Sequence, residues 1–164
     1  MNRATHMPVQ RIAYARSEPS SAVNARALYT TCLHEFAHLA AARSFGACGF
    51  VAVQRLGISY PEDTKWQGRF QLFGALDDDA WRVVALAGTL AERLFDGHPA
   101  NASQLEEALR RPGALSYCDA ALARGFDRGD VHACIAVVND AWAAIIDDAN
   151  ERAAEISDRL ASMR

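Results

Sequence analysis

The sequence predicts a mainly α protein of the α+β class, in which several helices accompany one small β-hairpin or sheet. Segments rich in Ala, Leu and Arg alternate with Gly and Pro, which is typical of helices with defined ends. One central stretch, residues 49–74, instead shows the alternation and the turn residues of two short strands. The length of 164 residues suits a single domain with a substantial core.

The first long helix is predicted over Ala22–Arg43. Ser20 and Ser21 are suitable N-cap residues, and the segment contains neither Gly nor Pro. Its apolar residues recur at the three-to-four spacing of a buried stripe, and they are Leu28, Cys32, Phe36 and Leu39. Gly46 follows as a C-terminal cap, so both ends of this helix are marked in the sequence.

The rest of the chain is predicted to form a hairpin followed by four helices, each of which begins near a capping residue. The strands are predicted over Gly49–Ile58 and Gln67–Gly74, with turn residues at Pro61–Asp63. The helices are predicted over Ala80–Phe95, from Asn101 or Ser103 to Pro112-Gly113, over Tyr117–Phe126, and over Val131 to about Ala161. Their predicted caps are Asp77–Asp79, Ser116 and Gly129-Asp130.

Composition and charge weigh against several classes of protein. The net charge is -3 and no run of Lys or Arg occurs, so nucleic-acid binding is not expected. We expect no membrane span, because the most apolar segment, Val131–Ile146, is interrupted by Asn139 and Asp140. No secretory signal is apparent and the cysteines are expected to be reduced, which predicts a cytoplasmic protein. Residues 1–17 are interpreted as a flexible N-terminal tail, and residues 18–164 as one domain.

The most informative segment is His34-Glu35-Phe36-Ala37-His38, within the first predicted helix. Residues four apart lie one turn apart on the same helix face, so both imidazoles can bind one Zn²⁺. Glu35 is then close enough to act as the general base that takes a proton from water at the metal. The motif also arises by chance, and the alternative is a core helix whose two His are satisfied by hydrogen bonds. The capped helix around the motif favours the metal site.

A catalytic zinc site needs a third protein ligand and an open position for water. Two carboxylates are candidates for that ligand. Glu92 forms an ExxxD pair with Asp96 on a predicted helix, and Asp119 lies near the start of the helix that Ser116 caps. Each also has a structural interpretation, since Glu92 suits a helix surface and Asp119 suits the positive end of a helix dipole. The residues alone leave this choice open.

Three features in order along the chain resemble a known family. They are the His-Glu-x-x-His helix with the hairpin after it, the run Ala85–Gly97 (ALAGTLAERLFDG), and the Ser-x-x-Asp that ends at Asp119. Over about Ser21–Ala123 the chain resembles the peptidase domain of FtsH, which is the M41 family of zinc metallopeptidases. The resemblance implies a zincin-like helical domain with Asp119 as third ligand and Glu92 orienting one His.

The chain departs from that family in ways that affect the expected activity. Phe36 stands where the family has a small residue, Cys118 precedes the expected ligand, and no GxxxxGK[ST] phosphate loop occurs in the sequence. The resemblance therefore implies a stand-alone, ATP-independent zinc metalloendopeptidase that acts on polypeptides. Phe50–Leu56 or Gln67–Phe73 would hold the peptide by strand addition. A homo-oligomer or a separate ATPase partner is expected. The alternative is a non-catalytic, zinc-stabilised helical binding or regulatory module.

Overall fold

Five helices and one two-stranded antiparallel sheet make up residues 19–56 and 65–163, the part of the chain that the computed structural model describes. The elements, in chain order, are α1 Pro19–Ser44, β1 Cys48–Arg55, β2 Trp66–Phe73, α2 Asp78–Phe95, α3 Ala102–Leu109, α4 Tyr117–Leu122 and α5 Arg128–Ser162. The predicted mainly α, α+β class is confirmed. The predicted tail at 1–17 and the predicted turn at Pro61–Asp63 lie outside the described residues.

Helix α1 begins at Pro19, so the prediction that Ser20 or Ser21 caps it was wrong. Ser20 and Ser21 both lie within the helix, whereas an N-cap residue lies before it and has non-helical backbone angles. The predicted cap at Gly46 is confirmed. Gly46 has φ +82° and donates its N–H to the carbonyl of Arg43 at 3.0 Å. This cap turns the chain directly from α1 into β1.

The core lies where α1, α2 and α5 pack together, and the sheet packs on α1. Its largest fully buried side chains come from these three helices, namely Tyr29, Leu33, Leu39, Leu86, Leu90, Val131, Val138 and Ile145. Helix α3 packs on α5, and α4 packs on α2. The predicted stripe on α1 is largely confirmed, with Leu28, Cys32 and Leu39 buried and Phe36 partly buried against the core. Core packing therefore fixes the position of α1, which carries His34 and His38 beside this stripe.

Helix α4 is shorter than predicted, because it ends at Leu122 rather than at Phe126. Ala123 forms its C-cap, and Gly125 then adopts φ +79°, which favours glycine and ends the helix. The predicted N-cap Ser116 is confirmed, and α3 likewise begins after Asn101, one of its two predicted caps. The short α4 therefore holds Asp119 in its first turn.

Helix α5 begins at Arg128, earlier than predicted, and its cap is Asp127 rather than Gly129-Asp130. The Asp127 carboxylate accepts hydrogen bonds from the N–H groups of Gly129 at 2.6 Å and Asp130 at 3.1 Å. In return, the Asp130 carboxylate accepts one from the Asp127 N–H at 2.9 Å, which completes a capping box. The two carboxylates thus provide acceptors for N–H groups at the start of α5 that have no partner within the helix.

Helix α5 is also long and apolar enough, by length and composition alone, to cross a membrane, which the sequence did not lead us to expect. In the structure 28% of its most apolar window is buried, with Val131, Val138 and Ile145 in the core. One such helix is weak evidence for a span, because the core helix of a globular protein passes the same test. The expectation of no membrane contact stays a prediction.

Strand β2 has an outer edge that no described strand covers. The two strands pair antiparallel from Cys48 opposite Phe73 to Arg55 opposite Trp66. The N–H of Leu56 donates to the carbonyl of Lys65, directly opposite it, at 2.9 Å. Hydrogen-bonded and non-bonded pairs alternate in such a ladder, so every second residue of β2 directs its N–H and C=O away from β1. These residues include Gly68 and Phe70.

Candidate metal centre

Helix α1 places His34 and His38 one turn apart, and α4 brings Asp119 against them. The Nε2 atoms of the two His are 2.9 Å apart. Each lies 3.4 Å from one oxygen of the Asp119 carboxylate. One ligand atom from each residue lies within 4.8 Å of the other two, and His38 and Asp119 are buried. Three ligand atoms around one point are what a metal site with three protein ligands requires.

The opposite ring nitrogens of both His are held by acceptors on α2. His34 Nδ1 lies 3.0 Å from Glu92 Oε1, and His38 Nδ1 lies 2.6 Å from the carbonyl oxygen of Val84. A carbonyl oxygen only accepts, so Nδ1 of His38 donates its proton there, and the Glu92 carboxylate favours a proton on Nδ1 of His34. Each Nε2 is therefore directed inwards as a potential ligand, as in metal-binding histidines.

The Nε2 atoms of His34 and His38 and the Asp119 carboxylate surround one point, and together they would stabilise a positive charge there. Burial alone would lower the pKa of His34, but hydrogen bonds with Asp119 and Glu92 outweigh burial and raise that pKa to about 10. Burial and the charge on His34 lower the pKa of His38 to about 4. The hydrogen bonds of His34 with Asp119 and Glu92 thus favour positive charge at the point between the ligand atoms. A cation of higher charge would fit the same position.

Ser116 fixes the orientation of the Asp119 carboxylate. Its hydroxyl donates to Asp119 Oδ2 at 2.7 Å and accepts from the backbone N–H of Asp119 at 3.1 Å. Burial raises the pKa of Asp119, but hydrogen bonds and charge from His34, His38 and Ser116 outweigh burial and lower it. Asp119 is therefore an ionised carboxylate with one oxygen towards each imidazole, which suits a metal ligand.

Gly88 on α2 leaves open the space between the two imidazoles. A Cβ at this position would lie 2.6 Å from the Nε2 atoms of both His34 and His38. Glycine inside a helix costs about 1 kcal/mol relative to alanine, so a buried glycine in an Ala-rich helix needs a local reason. The open cradle, together with two imidazoles and a carboxylate, fits a zinc ion. This role of Gly88 was not predicted from the sequence, although a single Gly inside a predicted helix could have indicated it.

Glu35 lies buried between α1 and the sheet. The backbone N–H of Phe70 is close enough to its carboxylate to stabilise the charged form. A Cβ at Gly68 would overlap the Glu35 side chain, so glycine allows the strand to approach. Burial raises the pKa of Glu35 to about 7, although the charge on His34 and the Phe70 N–H partly oppose this shift. A carboxylate with a pKa near neutrality is suited to accept and return a proton.

The residues that depart from the family pattern lie outside the ligand cluster. Phe36, next to Glu35 in sequence, is partly buried and packs against the core. Cys118, next to Asp119, is exposed on α4. A different aromatic residue borders the site, since the ring of Phe70 stacks on His38 with centroids 4.6 Å apart and planes at 28°. Neither substitution places a side chain among the three ligand atoms.

The fold and the site together define a mainly helical protein with a candidate three-ligand metal centre and a buried carboxylate beside it. Neither models of known protein families nor curated proteins match this chain. The structure brings the predicted His34, His38 and Asp119 together, whereas Glu92 contacts the opposite nitrogen of His34. The assignment of the site therefore depends on this geometry alone.

Separate replacement of the two candidate third ligands distinguishes their roles. We expect Asp119→Ala to weaken zinc affinity by at least about 1,000-fold, and Glu92→Ala by roughly 10–100-fold, because Glu92 would only orient His34. Competition with a chromophoric chelator measures both. Glu107→Ala, on the exposed face of α3, is the control and should leave zinc affinity unchanged. Equal losses for the two variants would contradict the assignment of Asp119 as the ligand.

Filling the cradle should also prevent metal binding. Gly88→Ala would ordinarily favour a helix by about 1 kcal/mol, but its methyl group would meet both Nε2 atoms. We therefore expect a helical protein, by circular dichroism, that retains less than a tenth of an equivalent of zinc on elemental analysis. Thr89→Ala, the neighbouring position on α2, should retain zinc as the wild type does. One full equivalent of zinc in Gly88→Ala would refute this role for Gly88.

The proton on His34 should stabilise the metal-free protein in a pH-dependent way. Its folded-state pKa of about 10 lies above the ordinary value of 6.5, so the folded state binds this proton more tightly than the unfolded state. The contribution is complete below pH 6.5 and is lost as the pH rises towards 10. With a chelator present, the difference in unfolding free energy between wild type and His34→Gln should shrink from about pH 6 to about pH 9. Urea denaturation measures it, and a constant difference would contradict the shift.

Proposed function

We propose that this chain is a zinc-dependent metallopeptidase with a zincin-like arrangement of its site. The observation that carries the proposal is the convergence of ligand atoms from His34, His38 and Asp119 next to the buried carboxylate of Glu35. Two imidazoles and one carboxylate form a donor set suited to Zn²⁺, and such catalytic sites keep one position open. The resemblance of three features, in their order along the chain, to the M41 peptidase domain of FtsH also motivates this proposal.

The residues of this chain divide the expected reaction between them. His34, His38 and Asp119 would hold the zinc, with Ser116 orienting Asp119 and Glu92 orienting His34. Zinc in such a site supplies an activated water and polarises the scissile carbonyl. Glu35 would act as general base, taking a proton from the attacking water and passing it to the leaving nitrogen. Burial of Glu35 raises its pKa, which favours return of the proton to the leaving nitrogen.

The outer edge of β2 is the expected binding surface for a polypeptide substrate. Gly68 and Phe70 direct backbone groups to this edge, and a peptide that pairs there would take the Phe70 N–H in place of the Glu35 carboxylate. An extended peptide that pairs with this edge would pass directly beside the proposed base. Of the two segments that the sequence left open, Gln67–Phe73 is therefore favoured over Phe50–Leu56. We also propose that the protein is cytoplasmic. It would form a homo-oligomer or act with a separate ATPase.

One observation favours the alternative of a zinc-stabilised binding or regulatory module that does not cleave peptides. Helix α4 has only 6 residues, and the single one of them that is buried is the proposed ligand Asp119. A metal bound to Asp119, His34 and His38 would fasten this short helix to α1, which is a structural role in itself. Bound zinc without cleavage of an unfolded protein would support this alternative.

The variant Glu35→Gln separates the two functions. It keeps the shape of the side chain but removes its capacity to accept a proton. We expect zinc content to be unchanged and cleavage of casein to fall by at least about 1,000-fold. Glu107→Gln is the matched control and should cleave as the wild type does. Full zinc-dependent cleavage by Glu35→Gln would refute Glu35 as the general base.

A further inference from the structure

The β-hairpin has one face packed on α1, and we call its opposite face the solvent face. Phe70 stacks on His38 of α1, and Val51, directly opposite Phe70 across the ladder, is buried, so both lie on the packed face. Because side chains alternate along a strand, the solvent face of β2 carries Gln67, Arg69, Gln71 and Phe73. The last three of these are exposed. The strand that borders the candidate metal centre therefore also presents a row of accessible side chains.

The solvent face is apolar at one end. Phe73 is 53% exposed, and Phe50, its diagonal neighbour on β1, is 48% exposed. Their ring centroids lie 5.9 Å apart, so the two rings form one aromatic surface. Adjacent exposed aromatic rings indicate an interaction site more strongly than single exposed apolar residues, which are common. This surface would bind a large apolar side chain.

A positive charge lies four residues from Phe73 on the same face of β2. Arg69 is exposed, and the residue opposite it on β1 is Ala52, which cannot pair with its charge. Neither strand contains Asp or Glu. Within residues 19–56 and 65–163, which the structure describes, no carboxylate lies within 4.0 Å of the Arg69 guanidinium. An exposed guanidinium of this kind attracts a carboxylate.

The hydrogen-bonding pattern of β2 determines where a paired peptide would place its side chains. Gly68 and Phe70 direct their backbone groups to the outer edge of β2, so they would form hydrogen-bonded pairs with an added antiparallel strand. Arg69 and Phe73 would then lie in the non-hydrogen-bonded pairs. In such pairs the Cα atoms are only about 4.5 Å apart and the opposing side chains contact each other most closely. The peptide residues that face Arg69 and Phe73 are four positions apart.

We propose that Arg69 and Phe73 select substrates in which a large apolar residue is followed, four positions later, by Asp or Glu. An antiparallel peptide runs opposite to β2, so the residue that faces Phe73 comes before the one that faces Arg69. This inference rests on the proposed function, because it takes the outer edge of β2 as the binding surface for the polypeptide. The metal ligands and Glu35 cannot provide this preference, since they lie on the packed face of the sheet.

Four labelled peptides of equal length test the preference. The first has Leu followed by Glu four positions later in a Thr-rich background, and the second exchanges these two residues, so its composition is identical. The third has Lys in place of Glu, and the fourth has Ser in place of Leu. Fluorescence anisotropy measures their binding to the zinc-loaded Glu35→Gln variant. We expect the first peptide to bind at least about threefold more tightly than each of the others. Equal affinities, or tighter binding of the second peptide, would overturn the proposal.

Variants of the solvent face then locate the preference. In the same Glu35→Gln background, Arg69→Glu should bind the Lys peptide at least about threefold more tightly than the Glu peptide, which reverses the original order. Phe73→Thr keeps a residue that favours strands and should bind the Leu and Ser peptides equally. Arg159→Glu, on the exposed end of α5, is the control and should keep the original preferences. Circular dichroism checks that each variant is folded. Unchanged preferences in folded Arg69→Glu and Phe73→Thr would overturn the proposal.

Failure of this inference and failure of the proposed function give different results. If the peptides bind with the expected preference but zinc-loaded wild type does not cleave casein, the preference stands and belongs to a binding module. If casein is cleaved but the four peptides bind equally or not at all, peptidase activity stands and this inference is overturned. A dimer in analytical ultracentrifugation that Phe73→Thr dissociates, together with no peptide binding, would assign the solvent face to a second copy of the chain and would also overturn it.

Discussion

The structure of the site depends on two imidazole nitrogens that face each other. The Nε2 atoms of His34 and His38 are 2.9 Å apart because Glu92 and Val84 hold the opposite nitrogens. Two lone pairs at this distance repel unless a positive charge lies between them. Asp119 supplies negative charge at the same point, and Gly88 leaves it open. The neighbouring elements therefore all favour a cation at the point between the two Nε2 atoms.

A proton and a metal ion would compete for this position. Hydrogen bonds with Asp119 and Glu92 raise the pKa of His34 to about 10, so a proton is favoured at this position. A metal ion must displace that proton, so part of its binding free energy is used for deprotonation. Helix α4 is the element most affected, because its buried Asp119 attaches it to α1 in either state. Binding of a metal at the site would therefore stabilise α4.

Sequence alone predicted the parts of this site that follow from helix periodicity. The spacing of His34 and His38 fixes them on one face of α1, and Ser116 marks the turn that presents Asp119. The residues did not decide between Asp119 and Glu92, because both lie on predicted helices and only tertiary packing separates their contacts. The roles of Gly88 and Gly68 were missed for the same reason, since a glycine's function here is the space that it leaves for another element.

The proposed metal binding and the proposed peptide hydrolysis would depend on different parts of the fold. The candidate ligands and the residues that orient them come from α1, α2 and α4, so the helices alone would form the proposed metal centre. Glu35 is different, because its burial requires β2, and Gly68 is what allows that strand to approach. A displaced β2 would leave the ligands in place but expose Glu35 to water, and its pKa would return towards that of an ordinary glutamate. The sheet is therefore the element that would convert a metal-binding helical protein into a hydrolase.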